Sequence, residues 1–225
     1  MKRPILTICL SIIALGALAQ SPISIRAKAG IGTSNLWGDN ASSDTRIAYK
    51  TGIEVEYNLT KVWLLQSSLN FVSKGGKDNI DGVGKANMNE LYIELPIMLA
   101  ARLNLGKNYY ASLGVGPYIA YGVGGKTYGE SNDYSSSSYP SNAYHFRLDT
   151  FGSMQKGNMG NKRFDAGLSF GLSLEYHRFV VGAEAQVGFI QVNDEISKMI
   201  DASLYSKYSP KNLALFFTAG YKIWK

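Results

Sequence analysis

The sequence predicts an all-β protein, an eight-stranded antiparallel up-and-down barrel that crosses a membrane. Three observations carry this. Apolar and polar residues alternate with the period of a strand over unusually long segments. The connections between those segments alternate between short and long, and aromatic residues gather at the segment ends. Strands in soluble sheets mostly run about 5–6 residues. Segments twice as long, with one uniformly apolar face and charges on the other, fit a cylinder whose outside meets lipid.

The clearest stretch is Asn89 to Tyr121. Leu91, Ile93, Leu95, Ile97, Leu99, Ala101 and Leu103 share one face, while Glu94, Pro96 and Arg102 stand on the other. After a turn at Leu105-Gly106-Lys107-Asn108, Tyr109, Ala111, Leu113, Val115, Pro117, Ile119 and Tyr121 continue the apolar face. This is a long hairpin, and it supplies strands four and five.

The chain opens on an export signal. Lys2 and Arg3 precede an apolar run from Ile5 to Leu18, and Ala17-Leu18-Ala19 has the small-x-small form of a cleavage site. Residues 1–19 are read as a cleaved signal peptide and 20–225 as one barrel domain. Cys9 is the one cysteine of the chain and lies in the signal, so the mature protein has no disulfide and no thiolate site.

Strand one spans Ile23 to Leu36, with Arg26 and Lys28 on its polar face. Strand two, Arg46 to Asn58, places Lys50, Glu54 and Glu56 opposite Ile47, Tyr49, Ile53, Val55 and Tyr57. Strand three runs from Val62 to Ser73. Strand six, Lys162 to Tyr176, sets Phe164, Leu168, Phe170, Leu172 and Leu174 against Asp165 and Glu175. Strand seven, Phe179 to Val192, carries Glu184 inward. Strand eight, Lys211 to Trp224, carries Lys222. The long connections are 37–45, 74–88, 122–161 and 193–210; the short ones lie near 58–61, 104–108 and 176–178. Short turns at one end and long loops at the other are the asymmetry of outer-membrane barrels. A short amphipathic helix is expected at Glu195 to Tyr205, where Ile196, Met199, Ile200 and Leu204 have helical spacing.

Seven outward aromatics are read as interfacial: Tyr57, Trp63, Tyr109, Tyr121, Tyr176, Phe179 and Trp224. The inward charges are Arg26, Lys28, Lys50, Arg102 and Lys222 against Glu54, Glu56, Glu94, Asp165, Glu175 and Glu184. Eight strands enclose only enough room for side chains. An unpaired charge there is costly, so these groups are expected to pair and close the lumen. Inward glycines (Gly30, Gly114, Gly116, Gly167, Gly171, Gly182) are expected to make room for the long side chains. Pro96 and Pro117 should lie almost opposite each other and cost the ladder a rung.

The chain carries +6 net charge with 18% charged residues, yet no run of five Lys or Arg. The charge is therefore read as solubility and attraction to anionic membrane surfaces, not as nucleic-acid binding. No metal-ligand spacing and no phosphate-cradling loop is present, so no cofactor or metal is expected. Ser137, His145 and Asp149 supply the residue types of a hydrolase triad in one long loop, but their spacing carries little information, and the chain is not read as an enzyme.

YIELPIMLAARL (Tyr92 to Leu103), LGVGPYIAYG (Leu113 to Gly122), FDAGLSFGLSLEY (Phe164 to Tyr176) and NLALFFTAGYKIW (Asn212 to Trp224) resemble the outer-membrane β-barrel family common in the Bacteroidota, the group that includes the PorT-like proteins. The resemblance implies residence in the outer membrane of a Gram-negative bacterium and contact with its lipid. The role expected from these readings is structural or recognition-based. The loops 122–161 and 193–210 would meet a protein or cell-surface partner. Passive small-solute passage, or membership of a secretion or adhesion complex, are the alternatives.

Overall fold

The computed structural model describes residues 22–38, 43–80, 84–132, 143–193, 195 and 209–224. The export signal, the Tyr134 to Tyr139 run and all but the first residue of the helix expected at 195–205 lie outside them. In chain order the strands are β1 (Ile23–Trp37), β2 (Arg46–Asn58), β3 (Trp63–Lys74), β4 (Lys77–Ile80), β5 (Gly84–Met88), β6 (Glu90–Gly106), β7 (Tyr109–Gly124), β8 (Lys126–Asn132), β9 (Ala143–Asp149), β10 (Phe164–Tyr176), β11 (Phe179–Gly188) and β12 (Lys211–Trp224). Eight of them close an antiparallel barrel in the order β1-β12-β11-β10-β7-β6-β3-β2. The seam runs from Ile25 opposite Trp224 to Trp37 opposite Lys211, with one register shift between Ile25 and Arg26.

Alternation sorts the side chains as the period of a strand requires. Ile31, Ile47, Leu69, Leu103, Leu113, Leu172, Val181 and Phe217 stand more than half exposed on the outer wall. Water would penalise so continuous an apolar surface, whereas hydrocarbon does not. No helix among the described residues is long and apolar enough to cross a membrane; the crossing elements here are strands.

The short turns are tight. Lys107 and Asn108 both take positive φ (47° and 67°), the pair of left-handed residues that matches a hairpin's twist. The long-loop end departs from expectation. Two of the connections read as irregular, 74–88 and 122–161, contain β4, β5, β8 and β9, which form a second sheet in the order β4-β5-β8-β9. This sheet grows from the barrel's own hairpin. Met88 opposite Thr127 continues the ladder that ends at Leu91 opposite Gly124. The break falls at Asn89 and Gly125. Gly125 has φ +146°, and a Cβ there would sit 2.1 Å from the Asn89 carbonyl oxygen, so only glycine fits the bend.

Of two further expectations, one holds and one is corrected. Pro96 faces Tyr118, one residue from Pro117, so the two prolines lie almost opposite each other, as expected. The β6·β7 pairing skips from Pro96–Tyr118 to Leu99–Val115, and β3·β6 skips from Ser67–Ile97 to Asn70–Glu94. Pro117 lies within the first gap, so the expected rung is missing there, and the pairing is interrupted on the β3 side of Pro96 as well. Among the inward glycines, Gly116 and Gly167 do not make room for charges. A Cβ on either would lie 2.0 Å from a neighbouring strand's carbonyl oxygen, that of Ile97 or Val187. They permit the wall to curve sharply.

Candidate functional site

The lumen is filled by charge. At the short-turn end, Glu56 of β2 is the focus of three cations from three strands. Its carboxylate lies 2.6 Å from Arg102 Nη2, 2.9 Å from Lys222 Nζ and 3.9 Å from Arg26 Nη1. Ser24 Oγ and Gln66 Nε2 also donate to it, at 2.9 and 3.0 Å. Lys222 is shared with Glu175 at 2.6 Å. Arg26 bonds Glu54, which joins this layer to the next.

From Glu54 a chain of alternating sign crosses the lumen. Lys28 Nζ lies 2.9 Å from Glu54 and 2.7 Å from Glu184. Lys50 Nζ lies 2.7 Å from Glu184 and 3.0 Å from Glu94. Lys74 Nζ lies 2.9 Å from Glu94 and 3.4 Å from Asp165. Seven groups from β2, β1, β11, β2, β6, β3 and β10 are tied in sequence, each flanked by opposite charge. Such pairs offset their desolvation only because every member is multiply bonded. A pocket between these groups, lined by Arg26, Lys28, Met98 and Glu184 among others, has about 20 Å³, room for roughly one water.

All eleven inward charges read from the sequence stand in this network. Two members were missed, Lys74 and Glu90, because both were assigned to the loop 74–88 or its border. Strand parity was the available signal. Lys74 continues the inward set Gln66, Ser68, Asn70 and Val72, and Glu90 precedes Tyr92 and Glu94 by the same step. Lys74 is fully buried, with its ammonium 4.0 Å from the centre of the Tyr118 ring. Glu90 accepts from Asn161 Nδ2 at 2.6 Å and from the Tyr92 hydroxyl at 3.1 Å.

A folded segment covers the long-loop end. Phe151 is buried edge-on against Tyr92, 5.4 Å between ring centres. Its ring occupies the space beside Gly122, where a Cβ would come within 2.4 Å. Asn161 and Asn193 are buried beside it and joined by a 3.0 Å hydrogen bond.

The aromatics read as interfacial stand 44–63% exposed on the outer wall. Tyr57, Trp63, Tyr109, Tyr176, Phe179 and Trp224 ring the short-turn end, and Tyr121 lies toward the other. Tyr109 and Tyr176 stack at 4.4 Å.

Beyond the barrel, the β4-β5-β8-β9 sheet presents a groove of about 700 Å³. Residues paired across strands share a face. One wall is therefore the row Lys77–Asn87–Tyr128–Arg147, and the other carries Lys85, Glu130 and His145. The floor is the backbone of Ala86, Gly129 and Phe146 between them. Arg147 lies over the Tyr128 ring at 5.2 Å, and His145 Nδ1 is 3.4 Å from Glu130. Asp149, the acid of the hydrolase alternative, pairs with Lys126 at 2.5 Å instead of with His145; Ser137 lies outside the described residues. Among the described residues no three His, Cys, Asp or Glu side chains group to hold a metal.

Comparison with known proteins places the chain. Residues 18–194 match the family described as Outer membrane protein beta-barrel domain. No curated protein matches the sequence. Among solved structures the chain is similar to Ail, the attachment invasion locus protein of Yersinia pestis, crystallised with the heparin analogue sucrose octasulfate. The identity is 12%, over 89% of this chain and 99% of that one, with a TM-score of 0.41. Neisserial surface protein A is 9% identical over 90% and 98%, with a TM-score of 0.44. The β-barrel domain of Pseudomonas aeruginosa OprF is 11% identical over 88% and 97%, with a TM-score of 0.29. The chain belongs to the outer membrane protein beta-barrel domain family and resides in the outer membrane of a Gram-negative bacterium.

Proposed function

We propose that this barrel is a recognition protein of the outer membrane and not a conduit. One observation carries the reading: a lumen crossed by a continuous chain of paired charges stands beneath a four-stranded sheet with a 700 Å³ groove. Short turns mark the periplasmic end of such barrels and long connections the extracellular one, so the sheet faces outward from the cell. Polar side chains displayed on a rigid scaffold are suited to binding. The partner is a protein or a cell-surface molecule, met through the connections 74–88, 122–161 and 193–210. The outward apolar band contacts the membrane lipid, and the seven aromatics sit at its two edges. Residues 1–19 are removed on export, and the PorT-like proteins of the Bacteroidota are the relatives of choice. The protein is read as non-enzymatic and free of cofactors.

Purified protein in a planar bilayer should give no stable unit conductance. A version in which the β4-β5 and β8-β9 hairpins are replaced by short turns should keep heat-modifiable gel mobility but lose attachment of the intact cells to surfaces. Steady conductance from the wild type, together with unchanged attachment, would make the protein a small-solute channel. Co-purification of a stoichiometric envelope partner would instead make it a subunit of a larger complex.

A further inference from the structure

We infer that the groove of the β4-β5-β8-β9 sheet binds a linear acidic polysaccharide in which charged and neutral sugars alternate. This rests on the recognition reading and names its ligand. The groove runs across the strands, not along them. Four strands span about 14 Å at the usual inter-strand spacing, and rows two residues apart leave about 7 Å between the walls. A trench of those dimensions takes a few sugars of an extended chain.

Its floor excludes a peptide read by strand addition. The backbone groups of Ala86 and Gly129 are committed to ladders on both sides, since β5 and β8 are the inner strands of the sheet. An extended peptide lying across them finds no main-chain partner. Recognition falls to side chains, and those are suited to hydroxyls and carboxylates.

The charges are spaced. Lys85 on β5 and Arg147 on β9 stand on opposite walls, two strand intervals apart along the trench, about 10 Å, which is close to the repeat of an acidic disaccharide. Lys77 extends the cationic end at β4. Lys77 and Lys85 are exposed, and among the described residues neither has an ion-pair partner. Arg147 is held flat by the Tyr128 ring, which orients its fork for bidentate contact with a carboxylate. Between these cations stands Glu130, and Asp44 closes the β4 end. A continuous polyanion would be repelled at Glu130. A chain with a neutral sugar at that place is not, and Asn87 with the Tyr128 ring edge offers it hydrogen bonds and an apolar contact.

The test uses the full chain refolded into detergent micelles or nanodiscs, with hyaluronate oligosaccharides as the alternating probe. Neutral dextran and polygalacturonate serve as comparisons. Saturable hyaluronate binding is expected, weakened by salt. Lys85→Glu and Arg147→Glu should each weaken it roughly tenfold or more, while Lys85→Arg retains it. Heat-modifiable mobility verifies that each variant barrel is folded. Absence of hyaluronate binding by the wild type, equal binding of dextran, stronger binding of polygalacturonate, or indifference to both charge reversals would each overturn the assignment. If hyaluronate fails while removal of the sheet still abolishes attachment, the ligand class is wrong and the recognition reading stands. If removal of the sheet changes nothing, both fall.

Discussion

The barrel and the sheet above it are built from one hairpin, yet different solvents hold them. In β6 and β7 every second residue is apolar and faces outward, and the charges are turned in and paired. Past Asn89 and Gly125 the same two strands continue as β5 and β8, and the rule inverts. Lys85, Asn87, Tyr128 and Glu130 stand exposed, and Thr127 on the opposite face is buried. The ladder is continuous in logic but not in chemistry. Below the bend a charge is tolerated only with partners, and above it water is the partner.

Glu56 supplies the sharpest test of that difference. Glu56→Leu leaves Arg26, Arg102 and Lys222 facing one another with one carboxylate fewer, and should cost about 3–5 kcal/mol. Urea titration of tryptophan emission in lipid vesicles would read it, and the shifted gel band should appear at a lower temperature. Lys50→Met combined with Glu94→Met should cost less than either change alone, since the pair is removed together. Equal or greater loss in the double variant would show that the pair and its outer partners, Glu184 and Lys74, act as one unit.

On the outer wall, Leu113→Arg puts a charge where Leu113 is 65% exposed to the apolar surroundings. The expected loss is about 2–4 kcal/mol if the site lies near the bilayer midplane. The equivalent change above the bend, Asn87→Arg, should stay within about 0.5 kcal/mol. A similar cost at both positions would erase the distinction between the two solvents.

Gly116→Val drives a side chain into the Ile97 carbonyl and should destabilise by about 1–3 kcal/mol. The exposed pair Lys126–Asp149 is expected to give the smallest effect. Lys126→Ala should cost less than about 1 kcal/mol and should vanish at high salt, in contrast to any lysine of the lumen.

The same contrast explains what could be read in advance. The wall was legible because lipid imposes a strict outward set, from Leu91 through Leu103 or from Phe164 through Leu174. The second sheet was not. GKANM in β5 and KTYGESN in β8 have no apolar period, because neither face meets hydrocarbon and the strands form by extension of a ladder already begun. The groove was invisible for the same reason: its walls come from four segments whose register no local pattern encodes. Lys74 and Glu90 fell at the frontier, where parity continued one step further than composition suggested. The near-facing of Pro96 and Pro117 was legible because the turn at Gly106 and Lys107 sets the register of the hairpin.

The bend at Gly125 also sets how the molecule bears a load. A ligand tugged away from the cell pulls on β5 and β8, and through them on β6 and β7, along the strand axes. Tension then reaches many ladder hydrogen bonds at once, in shear, instead of peeling them singly. It ends at Glu94 on β6 and Tyr118 on β7, which Lys74 of the neighbouring β3 ties together inside the lumen. The salt-filled bore is in that sense a mooring post, and its rigidity serves whatever is tied above it.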